Sequence, residues 1–212
     1  MIIDPKDFFK KELKNPTIIE AGTSTGYDTL EFSQTYPKGK IYGFEPIPNL
    51  YNLAKERLKN QENVFLYNKA LSDKKGYFDM YVSEMFNETV ESSSLLKPKE
   101  HLKRHPNIIF NETIKVETIV LDDFIDEEKI EFIDLMWLDL QGYESFVLKA
   151  SPKTLAKTNY IYSEVSVIDT YENVVRYKEF DDLMNSLGFN KIWDDLKSRP
   201  NTDMANSLYK KI

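Results

Sequence analysis

The run Thr17-Ile-Ile-Glu-Ala-Gly-Thr-Ser-Thr-Gly26 begins β-branched, ends its apolar part in an acid and a glycine, and turns through small residues into an amphipathic stretch. Nineteen positions after Gly26 a second short apolar run, Ile41-Tyr-Gly-Phe-Glu-Pro46, ends in another acid, Glu45. No other feature constrains the fold as much. Strand, small-residue turn, helix and second strand make the βαβ unit that cradles an adenosine-bearing cofactor. Small residues let backbone approach the ligand, and the second carboxylate suits the ribose hydroxyls.

The rest of the 212-residue chain repeats this alternation of short apolar and longer amphipathic runs. It predicts one α/β domain over residues 1–212, with a mostly parallel sheet and helices on both faces. Strands are expected at 18–20, 40–45, 64–68, 114–121, 133–139 and 160–165, with 77–82 as a hairpin-like partner after the turn-rich Leu71-Ser-Asp-Lys-Lys-Gly76. Helices are expected at 6–13, 25–36, from Pro46 or Pro48, after a cap at Asp122-Asp123, at 143–150, and at 177–187 before a capping Gly188. Segments 189–193 and 207–211 have no helix between them and read as an antiparallel pair, which gives about seven core strands. Residues 84–112, with three serines in a row, two prolines and both histidines, read as an irregular lid or acceptor loop.

Composition narrows the chemistry. The chain has no cysteine, which removes disulfides, thiolate metal sites and a thiol nucleophile and fits a reducing, cytoplasmic location. A net charge of −7 argues against a nucleic-acid groove, and the basic cluster Lys97, Lys99, Lys103 and Arg104 reads as a solvated face. No apolar run reaches the roughly 18 residues that cross a bilayer, so no transmembrane segment is expected.

Six segments in order carry a resemblance. They are Ile19-Glu-Ala-Gly-Thr-Ser-Thr-Gly26, Gly43-Phe-Glu-Pro46, Ala70-Leu-Ser-Asp-Lys-Lys-Gly76, Ser92-Ser-Ser-Leu95, Val116-Glu-Thr-Ile-Val-Leu-Asp-Asp123 and Ile133-Asp-Leu-Met-Trp-Leu-Asp-Leu-Gln-Gly-Tyr-Glu144. Together they resemble the FkbM family of S-adenosylmethionine-dependent methyltransferases. Three positions depart from that family's pattern: Glu20 replaces its usual Asp, Trp137 its Lys, and Gln141 its Glu. The resemblance implies a Rossmann-like class I methyltransferase fold with a seven-stranded sheet and a reversed terminal strand. It also implies S-adenosylmethionine as cofactor and a hydroxyl of a small polar acceptor as target, leaning towards a sugar of a glycan or glycoconjugate.

On this reading Glu20 lies beside the cofactor's amino group, and Gly22, Thr23, Ser24 and Gly26 form the loop that approaches its methionine part. Glu45, followed by Pro46, takes the ribose, while Leu71, Ser72 and Asp73 meet the adenine. Asp139, at the end of an apolar strand, borders the cofactor and is the first candidate for the base that removes the hydroxyl proton. Glu164 is the second candidate and Glu144 the third, although an acid in a first helical turn also has a purely dipolar reason to be there. Ser93, Ser94, Gln141 and Tyr143 are expected to bind the acceptor, with Asn87 in the same loop.

Several alternatives stay open at this stage. Asp139 and Glu164 could hold Mg²⁺, although no third ligand is visible and a metal is not favoured. His101 and His105 would share a helical face, but Pro106 favours two exposed loop histidines. Trp137, Tyr143, Tyr160, Tyr162 and Tyr171 could stack on a ring substrate or simply build core. A nicotinamide-dependent oxidoreductase shares the βαβ unit and Glu45. A non-catalytic S-adenosylmethionine-binding module is suggested by the acid missing at Gln141. The short lead-in to the first strand suits a minimal core that serves as one module of a larger glycan-assembly protein.

Overall fold

The computed structural model describes residues 4–86, 88–89 and 91–212. Helix α1 (Pro5–Glu12) starts where the Asp4 carboxylate accepts the Asp7 N–H, with Pro5 in the first turn. Strand β1 (Thr17–Ala21), helix α2 (Tyr27–Thr35), strand β2 (Lys40–Phe44), helix α3 (Pro48–Leu58) and strand β3 (Val64–Tyr67) follow in the expected order. Next come β4 (Ala70–Leu71), β5 (Gly76–Met85), β6 (Glu88–Thr89), the short α4 (His101–Arg104) and β7 (Ile109–Ile119). The chain then runs through α5 (Leu121–Glu127), β8 (Ile133–Leu138), α6 (Glu144–Lys149), α7 (Pro152–Ala156) and β9 (Thr158–Ser166). It closes with α8 (Tyr177–Ser186), β10 (Phe189–Asp194) and β11 (Met204–Lys211).

The main sheet has seven strands in the order β10-β11-β9-β8-β1-β2-β3. Pairing is parallel from β9 through β8, β1 and β2 to β3, and only β11 is reversed, inserted antiparallel between β9 and β10. Successive residues in each strand point to opposite faces. Ile18, Ile41, Leu135, Tyr160 and Leu208 therefore pack under α1 and α2 with Phe9 and Phe32. Their neighbours Ile19, Tyr42, Met136, Ile161 and Tyr209 pack under α5, α6, α7 and α8 with Phe124, Val147, Leu155 and Met184. Gly188 closes α8 at φ 82°, as its position predicts.

Four expectations need correction. Segment 77–82 does not partner β3. It belongs to a second, four-stranded sheet in the order β4-β7-β5-β6, where Phe78 lies opposite Val116 and Leu71 opposite Ile119. Its strand pairing spans some forty residues of chain, which local periodicity does not report. Residues 84–112 are correspondingly less irregular than expected, since β5 extends to Met85 and β7 begins at Ile109. Asp122 does not cap its own helix; its carboxylate accepts Thr154 N at 2.7 Å and Lys153 N at 3.0 Å, and so caps α7 from α5. His101 is buried against Phe110 and Tyr171, and only His105 is exposed, 3.1 Å from Asp203.

The second sheet lies over one end of the main one. Met80 and Val116 pack with Ile47, Leu50 and Ala70, while Leu71 and Ile119 join the large core under β1 and β2. This positions β5 and the segment after β6 above the carboxyl ends of the parallel strands. Each member of the basic cluster is paired with an acid: Lys97 with Glu172, Lys99 with Asp169, Lys103 with Glu100 and Arg104 with Asp203. No helix among the described residues is long and apolar enough to cross a membrane.

Candidate active site

A cleft of about 1080 Å³, counting the space open to solvent, lies at the carboxyl edge of β1, β2 and β8. This is where ligands bind open parallel sheets. Glu20, Gly22, Ser24, Glu45 and Asp139 line its floor, and Met80, Glu91, Ser93 and Leu95 of the second sheet and its strap form the opposite wall. The two walls touch where Ser24 Oγ donates to Glu91 Oε1 at 3.0 Å.

The loop after β1 is shaped from both sides. Gly22 has φ 88°, and a β-carbon there would lie 2.0 Å from the Asp139 carbonyl oxygen. Ser24 sits at φ 50°, a conformation unfavourable for a side-chain-bearing residue, and its N–H points at Glu45. Glu45 accepts Ser24 N at 2.8 Å on Oε2 and Ile47 N at 2.8 Å on Oε1. Burial pushes its carboxyl up to about 7, against the pull of those two N–H groups. Gly26 does not line the cleft, and a β-carbon there would crowd Ala54 and Leu58 of α3.

Glu20 is 1% exposed, and burial pushes its carboxyl up to about 8. Its Oε2 has no hydrogen-bond partner among the described residues. An orphaned carboxylate oxygen beside a cleft is the mark of a missing cationic partner.

Residues 20–191 match the family described as the methyltransferase FkbM domain. The chain belongs to the FkbM methyltransferase family. It is 35% identical over 178 residues to the 2-O-methyltransferase NoeI of Sinorhizobium fredii, a match that covers 82% of this chain and 73% of NoeI. Among solved structures it resembles Aeropyrum pernix fibrillarin with bound S-adenosyl-L-methionine, at TM-score 0.55 and 12% identity, covering 92% of this chain and 66% of that one. It also resembles magnesium protoporphyrin IX methyltransferase from Synechocystis PCC 6803 with bound SAM, at TM-score 0.55 and 9% identity, covering 97% and 74%. These two likenesses establish the class I methyltransferase fold.

This FkbM domain is a methyltransferase, and its cofactor is S-adenosylmethionine; the nicotinamide alternative is set aside. The residues present fit that cofactor. Among the charged residues lining the cleft, Glu20, Asp28, Glu45, Glu91 and Asp139 face Lys69 alone, and Lys69 is paired with Glu117. Such a cleft suits a ligand bearing an ammonium and a sulfonium.

The sequence-predicted residues divide into three groups. Glu20, Gly22, Thr23, Ser24, Glu45, Pro46, Leu71, Asp139, Ser93, Gln141 and Tyr143 line the cleft. Gly26, Ser72, Asp73, Ser94, Glu144 and Glu164 stand behind it. Asn87 lies outside the described residues.

Around the cleft, Tyr143, Glu144 and Ser94 each have an identifiable partner. Tyr143 donates to Asp73 Oδ1 at 2.8 Å, so it belongs to the Leu71–Asp73 end of the cleft rather than the Asp139 end. Glu144, 3% exposed and pushed up to about 8 by burial, accepts Leu140 N at 2.7 Å and holds the turn after β8. Ser94 Oγ donates to the Gln141 carbonyl at 2.8 Å.

At the Asp139 end the two half-buried carboxyls are joined by an amide. Gln141 Nε2 donates to Asp139 Oδ1 and to Glu164 Oε2, each at 2.7 Å. Burial raises both carboxyls above their ordinary range, Glu164 further because Asp139 and Glu144 face it. The amide nitrogen, a donor, lies between the oxygens that a divalent cation would have to share. Trp137, where the family has Lys, lines the cleft and stacks on Tyr162 with ring centroids 3.6 Å apart. Tyr171 was not distinguished from core by the sequence. It is 1% exposed and reaches Gln141 Oε1 from the segment after β9, a long-range contact without a local signal.

Proposed function

We propose that this chain transfers a methyl group to a hydroxyl oxygen of a small polar acceptor, with a sugar residue of a glycan or glycoconjugate as the favoured class. One observation carries the reading: Asp139 presents a carboxylate to the cleft from the end of β8, with its partner carboxyl Glu164 behind it. The 35% identity to NoeI, a 2-O-methyltransferase, supports oxygen as the accepting atom.

S-adenosylmethionine supplies, when bound, a methyl group on a sulfonium that is open to in-line displacement. The residues that would hold it are Glu20 at its amino group, the Gly22–Ser24 backbone along its methionine part, Glu45 at its ribose, and Leu71, with Ser72 and Asp73 behind it, at its adenine. Asp139 takes the acceptor's hydroxyl proton as the new O–C bond forms. Glu164 serves as its partner and Glu144 as a support of the turn. Ser93 and Gln141 would contact the acceptor, and the acidic cleft favours an uncharged acceptor over a phosphorylated one, while Trp137, stacked on Tyr162 and packed against Phe32, belongs to the core beneath them. Gln141 does not make the cleft acid-free, which disfavours a purely non-catalytic role.

We read residues 1–212 as one domain, because Leu71 and Ile119 of the second sheet share a core with Ile19 and Met136 of the main one. A cysteine-free chain fits the cytoplasm, and a role as one module of a glycan-assembly protein remains part of the proposal.

The test is methyl transfer from radiolabelled cofactor to a panel of neutral, amino and phosphorylated methyl glycosides. Product from neutral glycosides, reduced about 10²–10⁴-fold in Asp139→Asn, is expected. Transfer unaffected by Asp139→Asn would remove the base, and transfer only to non-sugar hydroxyls would remove the acceptor class.

A further inference from the structure

Gln141 stands where sequence comparison suggested a lost active-site acid. An amide nitrogen carries two N–H donors, and here each goes to a different carboxyl, Asp139 on β8 and Glu164 on β9, at 2.7 Å. The opposite orientation would turn the amide oxygen, with no proton to give, against both carboxyl groups. Orientation is fixed from the far side. The Tyr171 hydroxyl lies 2.7 Å from the Ser92 carbonyl oxygen and 3.1 Å from Gln141 Oε1, so its one proton goes chiefly to Ser92 and is shared more weakly with the amide oxygen. Ser94 Oγ holds the Gln141 carbonyl, and Gln141 itself sits at φ 50°, a conformation unfavourable for a residue with a side chain. Such a conformation persists where surrounding contacts impose it.

We propose that Tyr171 and Gln141 form a positioning clamp that binds Asp139 and Glu164 into a pair sharing one proton. Asp139 then faces the cleft as the carboxylate that receives the acceptor's hydroxyl proton, while Glu164 keeps the pair's own. The identity of that reaction rests on the methyl-transfer reading above. As the O–C bond forms and the S–C electron pair stays on sulfur, the hydroxyl proton passes to Asp139. The pair then holds two protons until one returns to solvent.

Two neighbouring carboxylates cannot both ionise cheaply, and the surroundings add to the cost. Asp139 also faces Glu91 and Asp28, and Glu20 faces it from β1. Glu164 faces Glu144 and the Arg199 cation, and the Tyr162 and Tyr171 hydroxyls lie in the same field. The N–H given to Asp139 favours its charged form, and Asp139 and Glu144 facing Glu164 leave the proton there. A Glu at position 141 would instead add a third acid with no donor to offer.

The experiment is a ¹³C NMR titration of Asp and Glu side-chain carboxyls, with and without S-adenosylhomocysteine, assigned with Asp139→Asn and Glu164→Gln. The clamp predicts coupled ionisation, with Glu164 still protonated at neutral pH. Tyr171→Phe keeps the ring and should move the pair's titration by about half a pH unit or more. Gln141→Glu should move it further and lower methyl transfer about 100-fold on whichever glycoside the wild type accepts, with cofactor-product affinity within about twofold. Independent ionisation of both carboxyls near pH 4 would overturn the clamp. So would pair titrations unchanged by Tyr171→Phe, which also covers the case of Gln141→Glu failing to fold. The titration needs no acceptor, so failure to methylate any glycoside would count against the reaction assigned above and leave the clamp to be judged by itself.

Discussion

Gly22 and Asp139 come together backbone to side-chain position: a β-carbon on Gly22 would lie 2.0 Å from the Asp139 carbonyl oxygen. Gly22→Ala should therefore destabilise the fold by about 2–4 kcal/mol, combining a positive-φ penalty with a collision against backbone. Gly188→Ala, also at positive φ but with its nearest neighbour at an ordinary 3.6 Å, should lose only about 1 kcal/mol. Urea unfolding of the two variants measures the difference. Equal losses would mean that the loop yields and the contact does not constrain it.

Glu45→Ala leaves the Ser24 and Ile47 N–H groups without their acceptor and removes the carboxyl proposed to take the ribose. Binding of S-adenosylhomocysteine should weaken about 10–100-fold, the worth of a charged hydrogen bond. Calorimetric titration reads this directly, and an affinity within twofold of wild type would dismiss Glu45 as a cofactor ligand.

The pH dependence of binding follows from two raised carboxyls, Glu20 at about 8 and Glu45 at about 7. Below these values both are neutral and poor partners for a cationic ligand. Affinity for S-adenosylmethionine should rise from pH 6 to pH 8 and flatten above, with protons released on binding. Stability of the ligand-free protein should run the other way. A carboxyl raised in the folded state contributes most below its unfolded value, near 4.5, and loses that contribution as pH climbs towards 7–8. Thermal denaturation from pH 5 to 8 should show a falling midpoint that the ligand offsets, and a midpoint that rises over this window would contradict the burial of Glu20.

Asp122→Ala should cost about 1–2 kcal/mol, because its carboxylate caps α7 through Thr154 N and Lys153 N. Cofactor affinity should not change, since α7 lies away from the cleft. Denaturant melts paired with calorimetry separate these two outcomes.

The main sheet was legible because its strands are short, doubly buried and separated by helices, and the reversed β11 followed from the missing helix before it. That Glu45 and Glu20 would border the cleft was legible because a strand end fixes where a side chain emerges. Residues whose role depends on distant chain were not. Tyr171 looks like any core tyrosine until its hydroxyl meets Gln141, thirty positions away. Asp122 reads as the cap of the helix it sits on, yet serves one thirty-one residues later. The second sheet escaped notice because register between β5 and β7 leaves no mark on either strand alone.

That second sheet is one continuous stretch of chain, from Ala70 to Ile119, interposed between β3 and α5. It gives the cleft Met80, Glu91, Ser93 and Leu95, while the floor with Glu20, Glu45 and Asp139 belongs to the scaffold of parallel strands. One stretch of chain thus both shapes what the cleft admits and steadies the groups beside Asp139, because its Ser92 carbonyl and Ser94 hydroxyl hold Tyr171 and Gln141: exchanging 70–119 between relatives should change acceptor choice and transfer rate together.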